Sequence, residues 1–252
     1  MTHEHEYRRI SATRIRCACG DERCAHVWTD HASGIPHCSA CGVPAHASPS
    51  QVEDWRACPR KWGYRRRPYD YPAPRNPWAE FGERAHKIRE DWLRHRIWTQ
   101  EIARSREGQC VAAGISHWPQ PGSPELLGVE IALERVSLLG VPWTFKIDDL
   151  SRRGGVVCVG DLKTIGRLDR RKTEAELIED PQRIVYAVWA GRILEVETVD
   201  ASWSYCQRSP PAFAAVSVTE RTADAEQRLA ALHTTDVVAM VRANLLPLAE
   251  LP

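Results

Sequence analysis

VPWTFKIDDLSRRGGVVCVGDLKT, residues Val141–Thr164, holds two β-prone runs, Val141–Leu150 and Val156–Leu162. Between them lies a polar stretch with Arg152, Arg153, Gly154 and Gly155. Apolar runs joined by a short glycine-containing link predict an antiparallel hairpin. The side-chain period of two puts Val157, Val159, Asp161 and Lys163 on one face, so an otherwise apolar strand face ends in an acid and an ammonium. Asp148, late in the first run, falls across from Asp161 if the turn closes on the glycines. Two carboxylates with a lysine two residues after the second can hold a hard divalent cation and a polarised water. Taken alone, the same letters also describe a hairpin end carrying a surface ion pair.

The surroundings bear on that choice. Upstream stand PSQVEDWRACPRKWGY (Pro49–Tyr64) and FGERAH (Phe81–His86), and downstream stands QRIVY (Gln182–Tyr186). With these in place the chain resembles the RecB-like branch of the PD-(D/E)XK nuclease superfamily, from about Ser48 to Leu245. The motifs run in the family's order: Cys-Pro-Arg-Lys-aromatic, Gly-x-x-x-His, a strand glutamate, Ile-Asp, Asp-x-Lys-Thr and Gln-x-x-x-Tyr. Each is short and degenerate, and the specificity lies in their succession.

The resemblance implies an α/β fold, with a mixed central sheet flanked by helices over residues 47–252. It implies a metal-dependent DNA exonuclease that hydrolyses phosphodiesters at DNA ends in recombination, repair or replication, as in phage-type stand-alone relatives. Mg²⁺ or Mn²⁺ would be held by His86, Asp148, Asp161 and the carbonyl of Leu162, with Glu130 as the early strand acid and Lys163 orienting water. Asp149 competes with Asp148, but the family's apolar residue before its aspartate selects Asp148, after Ile147. Phe145 stands where many relatives have glycine. Arg60, Lys61, Gln182 and Tyr186 would contact DNA, and in the family the last two line the site or hold the lysine. Some relatives ligate an iron–sulfur cluster through the Cys58 position with three cysteines near the C-terminus. Only Cys206 lies in the distal third here, so no cluster is expected and Cys58 is read as a buried thiol. The alternatives are a structure- or sequence-specific endonuclease and an inactive zinc-ribbon DNA-binding module. Without a helicase region, unwinding would need a recombination or replication protein partner.

A length of 252 residues suits one α/β domain with a small appendage. No run approaches the roughly eighteen apolar residues of a membrane span, and MTHEHEYRRI lacks a signal-peptide core, so the expectation is a cytoplasmic protein without a membrane partner. A net charge of +1 does not advertise a nucleic-acid binder. Locally, Arg56, Arg60, Lys61, Arg65, Arg66, Arg67 and Arg75 interleave with Trp55, Trp62, Tyr64, Tyr69 and Tyr71. That mixture reads either as a single-strand or DNA-end surface or as a solvated basic face over a Trp-rich core.

Residues 1–46 are read as a separate zinc-ribbon-like segment, with Cys17, Cys19, Cys24, His26, His31, His37, Cys38, Cys41 and His46. So short a segment cannot bury an adequate apolar core, and Cys38-Ser-Ala-Cys41 spaces two thiolates for one tetrahedral ion. Cys24 with His26 completes a Cys₃His site and Cys19 with Cys24 a Cys₄ site. The favoured set is Cys24, His26, Cys38 and Cys41, a structural zinc with no open position.

Farther along, Ser50-x-x-Glu53 reads as a capping box and Pro59 as the end or kink of its helix. A helix is expected over 78–104 with Phe81, Ala85, Ile88 and Trp92 buried. Leu126–Val136 reads as a strand with Leu127, Val129, Ile131 and Leu133 on one face and Glu130 and Glu134 on the other. Arg167, Arg170, Arg171 and Lys172 are candidates for backbone phosphates. Asp180-Pro181 marks a helix start, with Gln182 and Tyr186 one turn apart on one side. Thr198–Cys206 and Ala212–Thr219 read as strands, and a helix is expected over about 221–245.

Overall fold

The computed structural model of the chain describes residues 7–9, 14–17, 22–24, 28–29, 36–38, 45–66 and 76–245. Two compact units make up the chain: residues 1–72 with 135–144 and 232–252, and residues 73–134 with 145–231.

In the first unit, strands β1 (Tyr7–Arg9), β2 (Arg14–Cys17) and β3 (Glu22–Cys24) pair antiparallel, and so do β4 (Trp28–Thr29) and β5 (His37–Cys38). The zinc expectation at Cys24, His26, Cys38 and Cys41 falls on side chains outside the described residues. Helix α1 (Pro49–Ala57) starts two residues before the expected box. Ser48 is its cap, accepting from the Gln51 amide at 3.4 Å, and Pro49 fills the first turn, where its missing N–H costs nothing. Pro59 then opens α2 (Pro59–Arg66), and Cys58 in the extended link between them is exposed, not buried as expected. Trp55 and Trp62 meet edge to face at 5.3 Å inside this unit, and both are buried. Arg56 pairs with Asp236 at 3.0 Å and Lys61 lies 3.7 Å from Asp54. In the described part of the basic stretch, Arg56, Arg60 and Lys61 are exposed and Trp55 and Trp62 are buried.

The second unit carries α3 (Pro77–His95), α4 (Gln100–Arg104), α5 (Arg106–Ala112), β6 (Leu126–Leu138), β7 (Val141–Arg153) and β8 (Val156–Ile165). It continues with α6 (Glu174–Ile178), α7 (Pro181–Ile193), β9 (Thr198–Arg208) and β10 (Pro211–Arg221). Residues 135–144, at the tip of the β6–β7 hairpin, belong to the first unit, as does α9 (Val238–Arg242), whereas α8 (Thr222–Leu232) belongs to the second up to Ala231. The sheet has five strands in the order β10-β9-β8-β7-β6, with β8 and β9 parallel and the β10–β9 and β8–β7 pairs antiparallel. The parallel pair requires a crossover, which α6 and α7 supply. The protein is thus α/β, with a mixed sheet flanked by helices.

Burial of both faces explains why β8 is apolar almost throughout. On one side Leu162 and Cys206 pack with Phe81, Ala85 and Trp92 of α3 and with Cys110 and Val111 of α5. On the other, Tyr186 of α7 lies 6.0 Å from Trp203 and 5.5 Å from Phe145. The hairpin turns at Leu139–Gly140 (φ 51° and 80°) and Gly154–Gly155 (φ 55° and 87°) each place both residues in the left-handed region, the twist that two-residue hairpins need.

The expected helix over 78–104 is two helices. α3 stops at Arg96, at φ 57°, where the Pro121 carbonyl accepts from the Arg96 guanidinium at 2.7 and 3.2 Å, and α4 restarts from its Thr99 cap. Arg89 rather than Ile88 is fully buried on the inner face of α3. The expected 221–245 helix is continuous: α8 passes through a π-helical turn at His233–Val237 into α9 and a closing 3₁₀ turn at Ala243–Leu245. In β6, positive φ at Glu130 (51°) and Arg135 (53°) interrupts the regular alternation, and Leu127 is exposed whereas Val129 is half-buried. Among the described residues, no helix is long and apolar enough to cross a membrane.

Candidate metal centre

The β7–β8 ladder ends at Asp149 opposite Gly160, one step short of Asp148 and Asp161. Past that point the Leu162 amide donates to Asp148 Oδ2 at 2.7 Å instead of to a strand partner. Strand β7 also changes phase here. Phe145 stacks towards α7, whereas Asp149, four residues on, bonds to Arg89 of α3. Residues four apart on a regular strand share a face, so one residue of slip lies between them, and both Asp148 and Asp149 end up buried.

On the α3 side, Asp148 Oδ2 lies 3.1 Å from His86 Nδ1 and 3.5 Å from the Arg89 guanidinium. Arg89 is 2 % exposed, forms a close ion pair with Asp149, and stacks 4.8 Å over Trp118, whose indole N–H donates to Ser204. Gly160 makes this possible: a Cβ there would come 2.0 Å from the Asp149 carboxylate. Burial alone would raise the Asp148 carboxyl. The hydrogen bond and charge of His86, then Arg89 and the Leu162 amide, overcome it and hold Asp148 at about 2. For His86, burial opposes protonation, but Asp148 wins and moves the imidazole above its ordinary value.

On the α7 side, the Asp180 cap accepts from the Gln182 amide and Pro181 fills the first turn, as the sequence predicts. This aims Gln182 and Tyr186 at the strand end. Gln182 Nε2 donates to Asp161 Oδ1 and to the Tyr186 hydroxyl, and its Oε1 accepts from Lys163 Nζ, all at 2.7 Å. The Tyr186 hydroxyl donates in turn to the Lys146 carbonyl. Lys163 Nζ is also 2.7 Å from Asp161 Oδ2, an ion pair without hydrogen-bond alignment. Burial and the neighbouring Asp148 carboxylate push Asp161 up to about 6, against the pull of Lys163 and His86.

Between α3, β6 and β7 a cavity of about 530 Å³ is lined by Gly82, His86, Glu90, Glu130, Lys146 and Asp148, among others. One ligand atom from each of His86, Glu130 and Asp148 lies within 4.8 Å of the others, a set that can hold a metal ion. Glu130 reaches it from a left-handed backbone position that a β-strand glutamate ordinarily avoids, a strain of the kind that gathers at functional sites.

Of the residues singled out by sequence, His86, Glu130 and Asp148 meet in this cluster, and Asp161, Lys163, Gln182 and Tyr186 form the adjoining network. Leu162 contributes its amide to Asp148 and its side chain to the α3 core. Asp149 serves the Arg89 pair. Arg60 and Lys61 belong to the first unit. Sequence reasoning passed over Arg89 and Lys146, although Arg89 stands one turn beyond His86 on the inner face of α3 and Lys146 two residues before Asp148.

No family model and no curated protein matches the chain. Among solved structures, a similar chain is that titled the crystal structure of SSO0001, with a TM-score of 0.28 and 11% identity over 48% of this chain. This protein spans 59% of that chain, and so slight a likeness informs neither fold family nor function.

Proposed function

We propose that the protein is a divalent-metal-dependent deoxyribonuclease of the PD-(D/E)XK, RecB-like type, hydrolysing phosphodiester bonds at DNA ends in recombination, repair or replication. The observation that carries this reading is the meeting of His86, Glu130 and Asp148 beside an Asp161–Lys163 pair cross-linked by Gln182. One imidazole among carboxylates suits Mg²⁺ or Mn²⁺, and the donor spacing fits a single ion. His86, Glu130 and Asp148 would hold it, with Asp161 and the Leu162 carbonyl as neighbours. A cation there would neutralise charge on the scissile phosphate and acidify a water.

The chain's own groups do the rest. Lys163, fixed by Gln182 and Asp161, orients the attacking water and steadies the charge that develops on phosphate. His86 must give up the proton that Asp148 stabilises before its nitrogen can serve as a ligand, which ties metal affinity to pH. Arg60 and Lys61 would hold DNA, and a structural zinc would organise the N-terminal cysteines.

The test is incubation with end-labelled single- and double-stranded linear DNA, and with closed-circular DNA, in Mg²⁺, Mn²⁺ or EDTA. The expected result is metal-dependent shortening of linear DNA from an end with the circle left intact. Cleavage of the circle would make it an endonuclease. Binding without cleavage in either metal would make it an inactive DNA-binding module.

A further inference from the structure

Lys146 lines the same cavity, two residues ahead of Asp148, and the mechanism above leaves it unused. Its ammonium pairs closely with Glu130 Oε2; the lysine side chain is 54% exposed and the glutamate side chain only 12%. Glu130 is also one of the three residues whose ligand atoms converge. The lysine therefore neutralises a carboxylate that a divalent ion would need, and the two cations compete for it.

None of the other cations near this acid cluster sits on Glu130. Arg89 is buried and tied to Asp149, His86 is itself a candidate ligand, Lys87 pairs with Glu90 and Asp91, and Lys163 is held by Asp161 and Gln182. Lys146 has a flexible four-carbon stem rising from a backbone whose carbonyl is anchored by the Tyr186 hydroxyl. Its ammonium can swing while its root stays in place.

We infer that Lys146 stands in for the metal at Glu130 in the metal-free protein, and that metal loading frees its ammonium to bind a non-bridging oxygen of the substrate phosphodiester. Metal loading and substrate recruitment are then coupled, because the ammonium is withheld from phosphate until another cation takes over Glu130. This rests on the nuclease reading and adds to it a residue that senses the metal and grips the substrate.

The experiment has two parts. Mn²⁺ is titrated into wild type, Lys146→Met and Lys146→Gln without DNA, reading free Mn²⁺ by electron paramagnetic resonance. The DNA concentration that half-saturates cleavage is then measured at saturating Mn²⁺, with circular dichroism checking the fold of each variant. Removing a competing unit charge a few ångströms from a divalent ion should tighten Mn²⁺ binding roughly tenfold. The same variants should need roughly tenfold more DNA, because one phosphate contact is lost. A purely structural lysine would not move the two readouts in opposite directions. Mn²⁺ affinity that is unchanged or weaker in both variants overturns the inference alone, provided wild type binds Mn²⁺ and cuts DNA. A wild type that binds no Mn²⁺ overturns the nuclease reading along with it.

Discussion

Asp148 and Asp161 are 4 % and 2 % exposed and stand at the same end of one hairpin, yet their surroundings treat their charge in opposite ways. Asp148 faces α3, where an imidazole, a guanidinium and a backbone amide keep it ionised, at about 2. Asp161 faces α7, where its carboxylate meets the lysine and an amide cross-linked to that lysine, and burial still carries it to about 6. The difference teaches that burial raises both carboxyls, that the cations and amide around Asp148 overcome it, and that at Asp161 the Asp148 carboxylate adds to it against Lys163 and His86. Each carboxylate of the α3 cluster already has a cation against it, His86 and Arg89 at Asp148 and Lys146 at Glu130. Asp161 has Lys163 against it, and a divalent ion held by the neighbouring His86, Glu130 and Asp148 would add to that.

The comparison breaks most readily at Arg89. Arg89→Met would leave Asp148 and Asp149 buried beside an apolar chain, and removing one partner of a buried pair costs about 3–5 kcal/mol. Chemical denaturation should show that loss near neutral pH. A loss under about 1 kcal/mol would mean that the α3 side is not held by its ion pairs.

Asp161→Asn sharpens the other half. A carboxyl raised in the folded state imposes no penalty at low pH, where folded and unfolded chains are both protonated. The penalty grows as pH rises from about 4 to about 6 and then levels off at about 3 kcal/mol. In EDTA, the variant's stability advantage over wild type should follow that curve. Asp148 has the opposite sign: its stabilisation is present above about 4 and is lost as pH falls towards 2. An advantage for Asp161→Asn that is flat between pH 4 and 7 would contradict the contrast.

Gln182→Leu unties Asp161 from Lys163 without removing either. Loss of a positioning group of this kind slows turnover by about 10–100-fold. Single-turnover cleavage within about twofold of wild type would show that the network is not needed. The smallest effect is expected for Tyr186→Phe, which removes the hydroxyl between Gln182 and the Lys146 carbonyl, at about 1 kcal/mol of stability in thermal or urea unfolding. A cost above about 3 kcal/mol would place the tyrosine at the root of the network.

Much of the α7 side was legible in the sequence, and its reasons are local. Gly154–Gly155 declares the hairpin turn, Asp180-Pro181 declares the helix start, and one turn of helix relates Gln182 to Tyr186. On the α3 side the sequence pointed to His86, Asp148 and Glu130 but not to the cation behind them. Arg89 looked like one more helix cation because its partner, Asp149, lies 60 residues away, and periodicity names a face without naming who occupies it. Glu130 was visible as a strand acid, but its left-handed backbone has no glycine or asparagine to announce it. The break at Arg96 hides for the same reason, since the Pro121 carbonyl that captures its side chain is distant in sequence. Trp55 and Trp62 read equally as stacking platforms or as core, and their burial against each other shows that they are core. Lys146 escaped because an ordinary strand lysine gives no sign that its charge falls on a candidate metal ligand.

The most direct measurement is the single-turnover cleavage rate of purified Asp161→Ala protein on end-labelled linear DNA, against wild type, in Mn²⁺ and in EDTA. The account predicts cleavage by wild type in Mn²⁺ only, and a folded variant that binds the same DNA and fails to cut it. Mn²⁺-dependent cleavage by the variant at the wild-type rate would contradict it.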